Sequence, residues 1–314
     1  MYSRNLFLFS LIACSTAVSV RALLAANGLA QPASELATGA QKPDEKGAVA
    51  GPVAVPAPGQ AVRLGGDKEV IAERKGADWV CGTAAITTPL PEGYPAPTPP
   101  GAIELKTYPS LRRAEFKAET NNSDIGMNVA FFPLFNHIKR RDIAMTSPVE
   151  MDYLGLSVTG KPLPGAGGVG QEAGKESDKQ AETPSGAEKP GEQPVKGKDG
   201  KAATTPAPLK AMTMSFLYRT PELGPVGDDA KDAKVKVVDT TPATYLSVGM
   251  QGGYGLKRVR MGMEQLQTFL AANPQWQTVG DVRALHYNGP EKRDRDKWLE
   301  VQVQVKKVES EEKK

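Results

Sequence analysis

The 314-residue sequence predicts an α+β fold, a distorted antiparallel β-barrel with two helices, built from two β-α-β-β repeats. Three observations predict it. Apolar residues recur at helical spacing twice, at Met127, Phe131, Leu134, Phe135, Ile138 and again at Leu256, Val259, Met263, Leu266, Leu270. Each helical stretch follows an extended segment broken by a proline, Pro109 or Pro242, and precedes two apolar strands. Residues 10–78 and 154–215 contain no aromatic side chain, so the sequence able to bury a core lies in separate blocks.

The N-terminus carries one arginine and then a mostly apolar run over residues 6–20, which fits an export signal spanning residues 1–30. Cleavage near Gly28-Leu29-Ala30 predicts a secreted or periplasmic, envelope-associated protein. Leu11-Ile12-Ala13-Cys14 also looks like a lipobox, which would make Cys14 a lipidated first residue, the one route by which the sequence predicts membrane attachment. Residues 31–65 are rich in Pro, Ala and Gly and are expected to be a disordered linker. Residues 66–100 have no assigned role; the prolines between Pro89 and Pro100 keep the chain extended.

The core domain is expected over residues 101–308. Residues 103–117 read as a strand pair broken at Tyr108-Pro109-Ser110. A helix follows, with Asn122 or Ser123 as N-cap and Asp124 in its first turn; Pro133 should kink or restart it. Residues 143–153 read as a strand. Residues 155–208, dominated by Gly, Pro, Glu, Lys and Ala, are expected to be a disordered insertion, which a core tolerates because closure entropy grows slowly with loop length. Strands follow at 212–218, 235–238 and 243–250. Gly252-Gly253-Tyr254-Gly255 turns into the second helix, which Asn273-Pro274 stops. Strands at 282–287 and 298–306 close the second repeat, and residues 309–314 form a charged tail. The interface between the repeats is the expected place for an apolar pocket.

Composition narrows function. The net charge of +3 is too small to argue for nucleic acid. Two cysteines, one of them in the signal, leave Cys81 without a disulfide partner in the mature chain. No G-x-S-x-G, H-E-x-x-H or Cys/His pair marks a catalytic centre.

The segment R-D-I-A-M-T-S-P-V, residues 141–149, follows the first helix and resembles the signature of the SOUL/heme-binding-protein family. Further segments are similar to the family in the same order: Glu104 to Tyr108-Pro109, Met214-Ser215-Phe216-Leu217-Tyr218, Gly249-Met250-Gln251-Gly252-Gly253, and Tyr287-Asn288-Gly289-Pro290 with Arg293, Arg295 and Trp298-Leu299-Glu300. The large insertion and Pro133 depart from the pattern. The resemblance implies noncovalent binding of heme or another tetrapyrrole in an apolar groove. The alternative is a small-molecule effector-type module that does not use iron.

On that reading the ligand-contacting candidates are Met127, Phe131, Phe135, Met145 and Met263, with Arg141 and Lys257 for propionates and His137 for iron. Adaptable core filling is the plainer reading of the Met side chains. His137 lies off the stripe centred on Phe131, which favours a solvated histidine over a ligand. His286 reads as a satisfied strand histidine. The glycine-rich turn before Lys257, Arg258 and Arg260 could receive an anion at a helix N-terminus.

Overall fold

The computed structural model describes residues 53–159 and 208–308. The expected export signal, residues 160–207 of the expected insertion, and the expected charged tail lie outside the described residues. In chain order the elements are β1 (Ala61–Gly66), β2 (Glu73–Lys75), β3 (Asp78–Cys81), β4 (Ala84–Ile86), β5 (Ala102–Tyr108), β6 (Arg112–Ala118), α1 (Ser123–Arg140), β7 (Val149–Leu154) and β8 (Ala211–Leu217), then β9 (Gly227–Asp228), β10 (Val235–Asp239), β11 (Ala243–Gln251), α2 (Leu256–Ala272), β12 (Trp276–His286) and β13 (Trp298–Lys307).

Ten strands form one antiparallel sheet in the order β1-β5-β11-β13-β12-β7-β8-β6-β10-β9, while β2, β3 and β4 form a small second sheet. The large sheet is palindromic. Read from one end, β5-β11-β13-β12 takes the places that β10-β6-β8-β7 takes from the other. The first strand of each repeat pairs with the second strand of the opposite repeat, β5 with β11 and β10 with β6, and β7 pairs with β12 at the centre. The two-repeat expectation therefore holds with an exchange of strands. The barrel does not: β1 and β9 are unpaired outer edges, so the sheet stays open. Closure needs edge strands in register, and here one edge is bulged between Arg63 and Gly65 while the other is two residues long.

Both helices lie on one face of this sheet. α1 packs on β6, β8 and β10, and α2 on β11, β12 and β13. Equivalent glycines set the approach. A Cβ on Gly262 would stand 2.6 Å from the Val301 side chain, and one on Gly126 would overlap Met212, on the equivalent strand. α2 buries Val259, Leu266 and Leu270 as its spacing predicts; each such side chain is worth about 1.5–3 kcal/mol of burial. α1 differs from expectation. Its buried residues include Gly126, Ala130, Leu134, His137 and Ile138, while Met127 and Phe131 are half-buried and Phe135 is exposed. The small side chains bring the backbone close to the sheet, and the large ones are turned to the flank. Pro133 does not break α1; it only leaves the Val129 carbonyl without a helical donor.

Several boundaries move. β1 lies inside the segment read as linker, and Leu156 and Val158, inside the expected insertion, are buried in the core. The segment 143–148 is irregular, and the strand starts at Val149. Its side chains join distant strand ends instead. The Thr146 hydroxyl donates to the Leu217 carbonyl (2.6 Å), the Ser147 hydroxyl donates to the Tyr287 carbonyl (2.9 Å), and the Ser147 N–H donates to the Pro89 carbonyl (2.9 Å).

The unassigned residues 66–100 cover the sheet face opposite the helices. Cys81, Ala84, Ile86 and Tyr94 pack with Tyr108, Leu217, Leu285, Tyr287 and Trp298 in a second apolar cluster. Beneath this cover β13 buries both of its faces. Leu299, Val301, Val303 and Val305 face the helices, while Trp298 and Glu300 meet the cover and Gln302 bonds the Tyr108 hydroxyl beside it.

Candidate functional site

At the end of β11 the turn Gly252–Gly255 leads into α2. Gly255 is the N-cap; it supplies no side-chain hydrogen bond, and the first turn holds no acidic residue. Instead it holds Lys257 and Arg258. Cations at a helix N-terminus oppose the helix dipole, so this end is arranged against its own stability. Across from it stands the loop after β12, with Arg293, Asp294 and Arg295. Thr83, Tyr254 and Met261 complete a groove of about 1270 Å³. Arg293 pairs with Asp296 (2.6 Å) and Lys297 with Asp294 (2.8 Å). Lys257, Arg258 and Arg295 have no ion pair among the described residues. The groove thus concentrates uncompensated positive charge beside a helix N-terminus that has no side-chain cap, the arrangement that receives anions.

The groove wall is anchored. Tyr254 stacks on His286 with ring centroids 4.0 Å apart and planes 2° from parallel. Its hydroxyl donates to the Asn288 carbonyl (3.0 Å) and accepts the Asn288 N–H (2.8 Å). The Lys297 ammonium lies 5.3 Å from the Tyr254 ring centroid. Burial, reinforced by Lys297, holds the His286 imidazole at a pKa of about 3, and its Nε2 has no hydrogen-bond partner. Burial pushes the Tyr254 phenol up, so the ring stays neutral and flat against the groove.

Of the eight residues singled out by sequence, only Lys257 lines this groove. Met127, Phe131, Met145 and Met263 are partly buried and pack against the main core. Phe135 stacks beside Phe131 at 5.8 Å on the outer side of α1. Arg141 stands 3.6 Å from Asp229. His137 is not solvated: it is 0% exposed, with Nδ1 2.6 Å from Asp229 and Nε2 2.7 Å from the Tyr218 hydroxyl. Both ring nitrogens are committed to protein partners, so an iron bond there would cost one of them. Burial, joined by the charges of Arg141 and Arg140, outweighs the pull of Asp229 and lowers the His137 pKa. Burial also works against ionisation of Asp229, yet the Lys231 N–H, the His137 ring and the Asp232 N–H outweigh it and hold the carboxyl at about 2. The cluster ties the end of α1 to the segment before β10. Between the repeats, where a pocket was expected, Met151, Tyr153, Val282 and Ala284 are fully buried and fill the helix-side junction of β7 and β12.

Sequence reasoning missed a second cluster, on the covered sheet face. Glu300 is 0% exposed and accepts from Lys106 (2.8 Å to each oxygen), the Thr98 N–H (2.7 Å), Ser247 (2.6 Å) and Tyr287 (2.6 Å). Glu150 accepts from Arg113 (3.0 Å), Arg283 (3.2 Å) and Tyr94 (3.3 Å). Burial alone would raise both carboxyls; Lys106 on Glu300, and Arg283 with Arg113 on Glu150, reverse this and lower them. The Arg283 guanidinium lies 3.6 Å from the Tyr245 ring centroid and 4.6 Å from that of Tyr108, so it is held by π faces as well as by carboxylate. A cavity of about 270 Å³ opens at the edge of this network beside Arg113, Asp152 and Tyr245. The signal was present in the alternation Trp298, Glu300, Gln302 and in the extended proline-rich segment, but nothing local said that one lies over the other.

No family model matches this chain, and no curated protein matches it significantly. Solved structures that run alongside it include the C-terminal domain of EcmrR, at 11% identity over 66% of this chain and 98% of that one, with a TM-score of 0.41. A hydrolase from Listeria innocua gives 10% identity, 67% and 94% coverage, and a TM-score of 0.38. SAV2435 bound to tetraphenylphosphonium gives 12% identity, 64% and 92% coverage, and a TM-score of 0.33. At these values the likeness carries no argument about function, which rests on the groove of this chain itself.

Proposed function

We propose that this chain is a small-molecule-binding module whose groove at the start of α2 takes a flat, partly apolar ligand carrying an anionic group. One observation carries the reading: Lys257, Arg258 and Arg295 stand without ion pairs around an uncapped helix N-terminus, beside the anchored ring of Tyr254. A tetrapyrrole, the ligand implied by the SOUL resemblance, has this chemistry. Its carboxylates would meet the three cations, and its macrocycle would meet Tyr254 and Met261. Heme would supply a redox-active iron. The groove itself is lined by no histidine or cysteine, so this chain's own residues bind and orient the macrocycle through its edge and face.

The test is titration of the protein with hemin and with metal-free protoporphyrin, followed by the Soret band and tryptophan fluorescence. Saturable binding of both with similar affinity is expected, with Lys257→Ala and Arg258→Ala each weakening it by about three- to tenfold. Absence of saturable binding of both compounds overturns the tetrapyrrole reading. Hemin binding abolished by His137→Phe, with protoporphyrin unbound, would instead favour iron ligation.

A further inference from the structure

The outer face of α1 is unlike that of an ordinary surface helix. Ile125 is 53% exposed, Val129 50%, Phe132 64% and Phe135 40%, and between Asp124 and Lys139 the exposed positions carry no charge, only these four residues with Asn128 and Asn136. Four of the twelve large apolar side chains exposed among the described residues thus lie on one face of one helix, and a contiguous apolar patch marks an interaction surface.

We propose that this face is a homodimer interface, in which two copies of the chain pack α1 against α1 in antiparallel orientation about a two-fold axis. The charges at its ends favour a second copy. Asp124 stands at the first turn and Lys139 at the last, so a two-fold axis near the middle of the helix sets each Asp124 beside the partner copy's Lys139. The same axis lays Ile125 toward the partner copy's Phe135 and brings Val129 and Phe132 together at the centre, giving the self-complementary pattern of an isologous contact. Lys139 has no ion pair among the described residues and is available for this role. The chain segment tethered nearest, residues 160–207, leaves and rejoins the fold through β7 and β8, close to the start of α1. It contains no aromatic residue and only Leu163, Val169 and Val195 as larger aliphatics, so it cannot supply an apolar complement. A stripe of this width is smaller than a standard interface, and micromolar association is the corresponding expectation.

Sedimentation equilibrium of the full chain from low micromolar to several hundred micromolar concentration tests the proposal. A reversible monomer–dimer equilibrium is expected. Phe132→Asp should weaken it by about 100-fold or more, with the melting temperature of the exposed-site variant little changed. Asp124→Lys and Lys139→Asp should each weaken dimerisation by about threefold, and the double variant should recover most of the wild-type affinity. A protein that stays monomeric throughout overturns the proposal. So do a dimer indifferent to Phe132→Asp, a double charge variant no better than the singles, and a chain that is monomeric in solution but binds phospholipid vesicles through Phe132.

Discussion

α1 and α2 occupy equivalent places in a duplicated frame, each pinned by a glycine against the equivalent strand of its half. Their solvent sides have diverged. α1 has a complete N-cap, Asn122 accepting from the N–H groups of Asp124 (3.0 Å) and Ile125 (3.1 Å), and shows an apolar outer face. α2 has a glycine cap without a side-chain bond, cations in its first turn, and a groove in front of it. The difference teaches that duplication fixed the buried half of each helix and left the other half free to specialise. A capped end has its N–H groups already satisfied; an uncapped cationic end keeps them for something else.

The buried halves should prove equivalent. Leu134→Ala on α1 and Leu270→Ala on α2 remove buried side chains at matched positions, each eight residues after the glycine that pins its helix. Each should cost about 3 kcal/mol. Urea unfolding would check this, and a single shared transition in both variants would show the halves folding as one unit; a loss confined to one helix would break the comparison.

Acid should then separate the halves. His137 and His286 both have pKa values lowered by burial, so as pH falls below about 6.5 the unfolded chain takes up protons that the folded chain refuses. The associated stability is complete above that pH and is lost as pH falls toward the folded values, about 3 for His286. A histidine titrating only when unfolded contributes roughly 1.4 kcal/mol per pH unit in that window. His286→Leu should flatten this part of the profile, measured as denaturation midpoint from pH 7 to pH 4. His137→Leu should flatten it less cleanly, because it also strips partners from Asp229 and Tyr218.

The caps give the smallest effects and the sharpest contrast. Asn122→Ala should lower stability by about 1 kcal/mol. Lys257→Glu should raise it by about 0.3–1 kcal/mol, since a carboxylate suits a helix N-terminus better than an ammonium, while weakening hemin or protoporphyrin binding. Thermal melts of both variants, with a ligand titration on the second, would show whether α2 trades stability for its groove.

How much of this was legible in the sequence depended on the range of the signal. The alternation of Leu299, Val301, Val303 and Val305 and the spacing of Val259, Leu266 and Leu270 placed strands and helix correctly, because each pattern reports on its own element. α1 misled because Gly126 and Ala130, which set the true buried face, carry no hydrophobic weight, whereas Phe131 and Phe135 do. His137 looked solvated for the same reason, since its partners Asp229 and Tyr218 are far away in sequence. In the groove only the Gly252–Gly255 turn and the nearby cations could be anticipated. Arg293 and Arg295 reach it through the pairing of β12 with β13, which no local pattern encodes.

The cover laid by residues 66–100 has a consequence for where the folding unit begins. Thr98 caps a buried carboxylate, Tyr94 caps another, and the Trp298 indole donates to the Thr98 carbonyl (2.8 Å). A chain shortened to start at Gly101, where the family resemblance begins, would keep every helix and β5 to β13. It would nevertheless open the Glu300–Lys106 pair and the rings of Tyr287 and Trp298 to water. What reads as a leader to the domain is in effect its missing third layer.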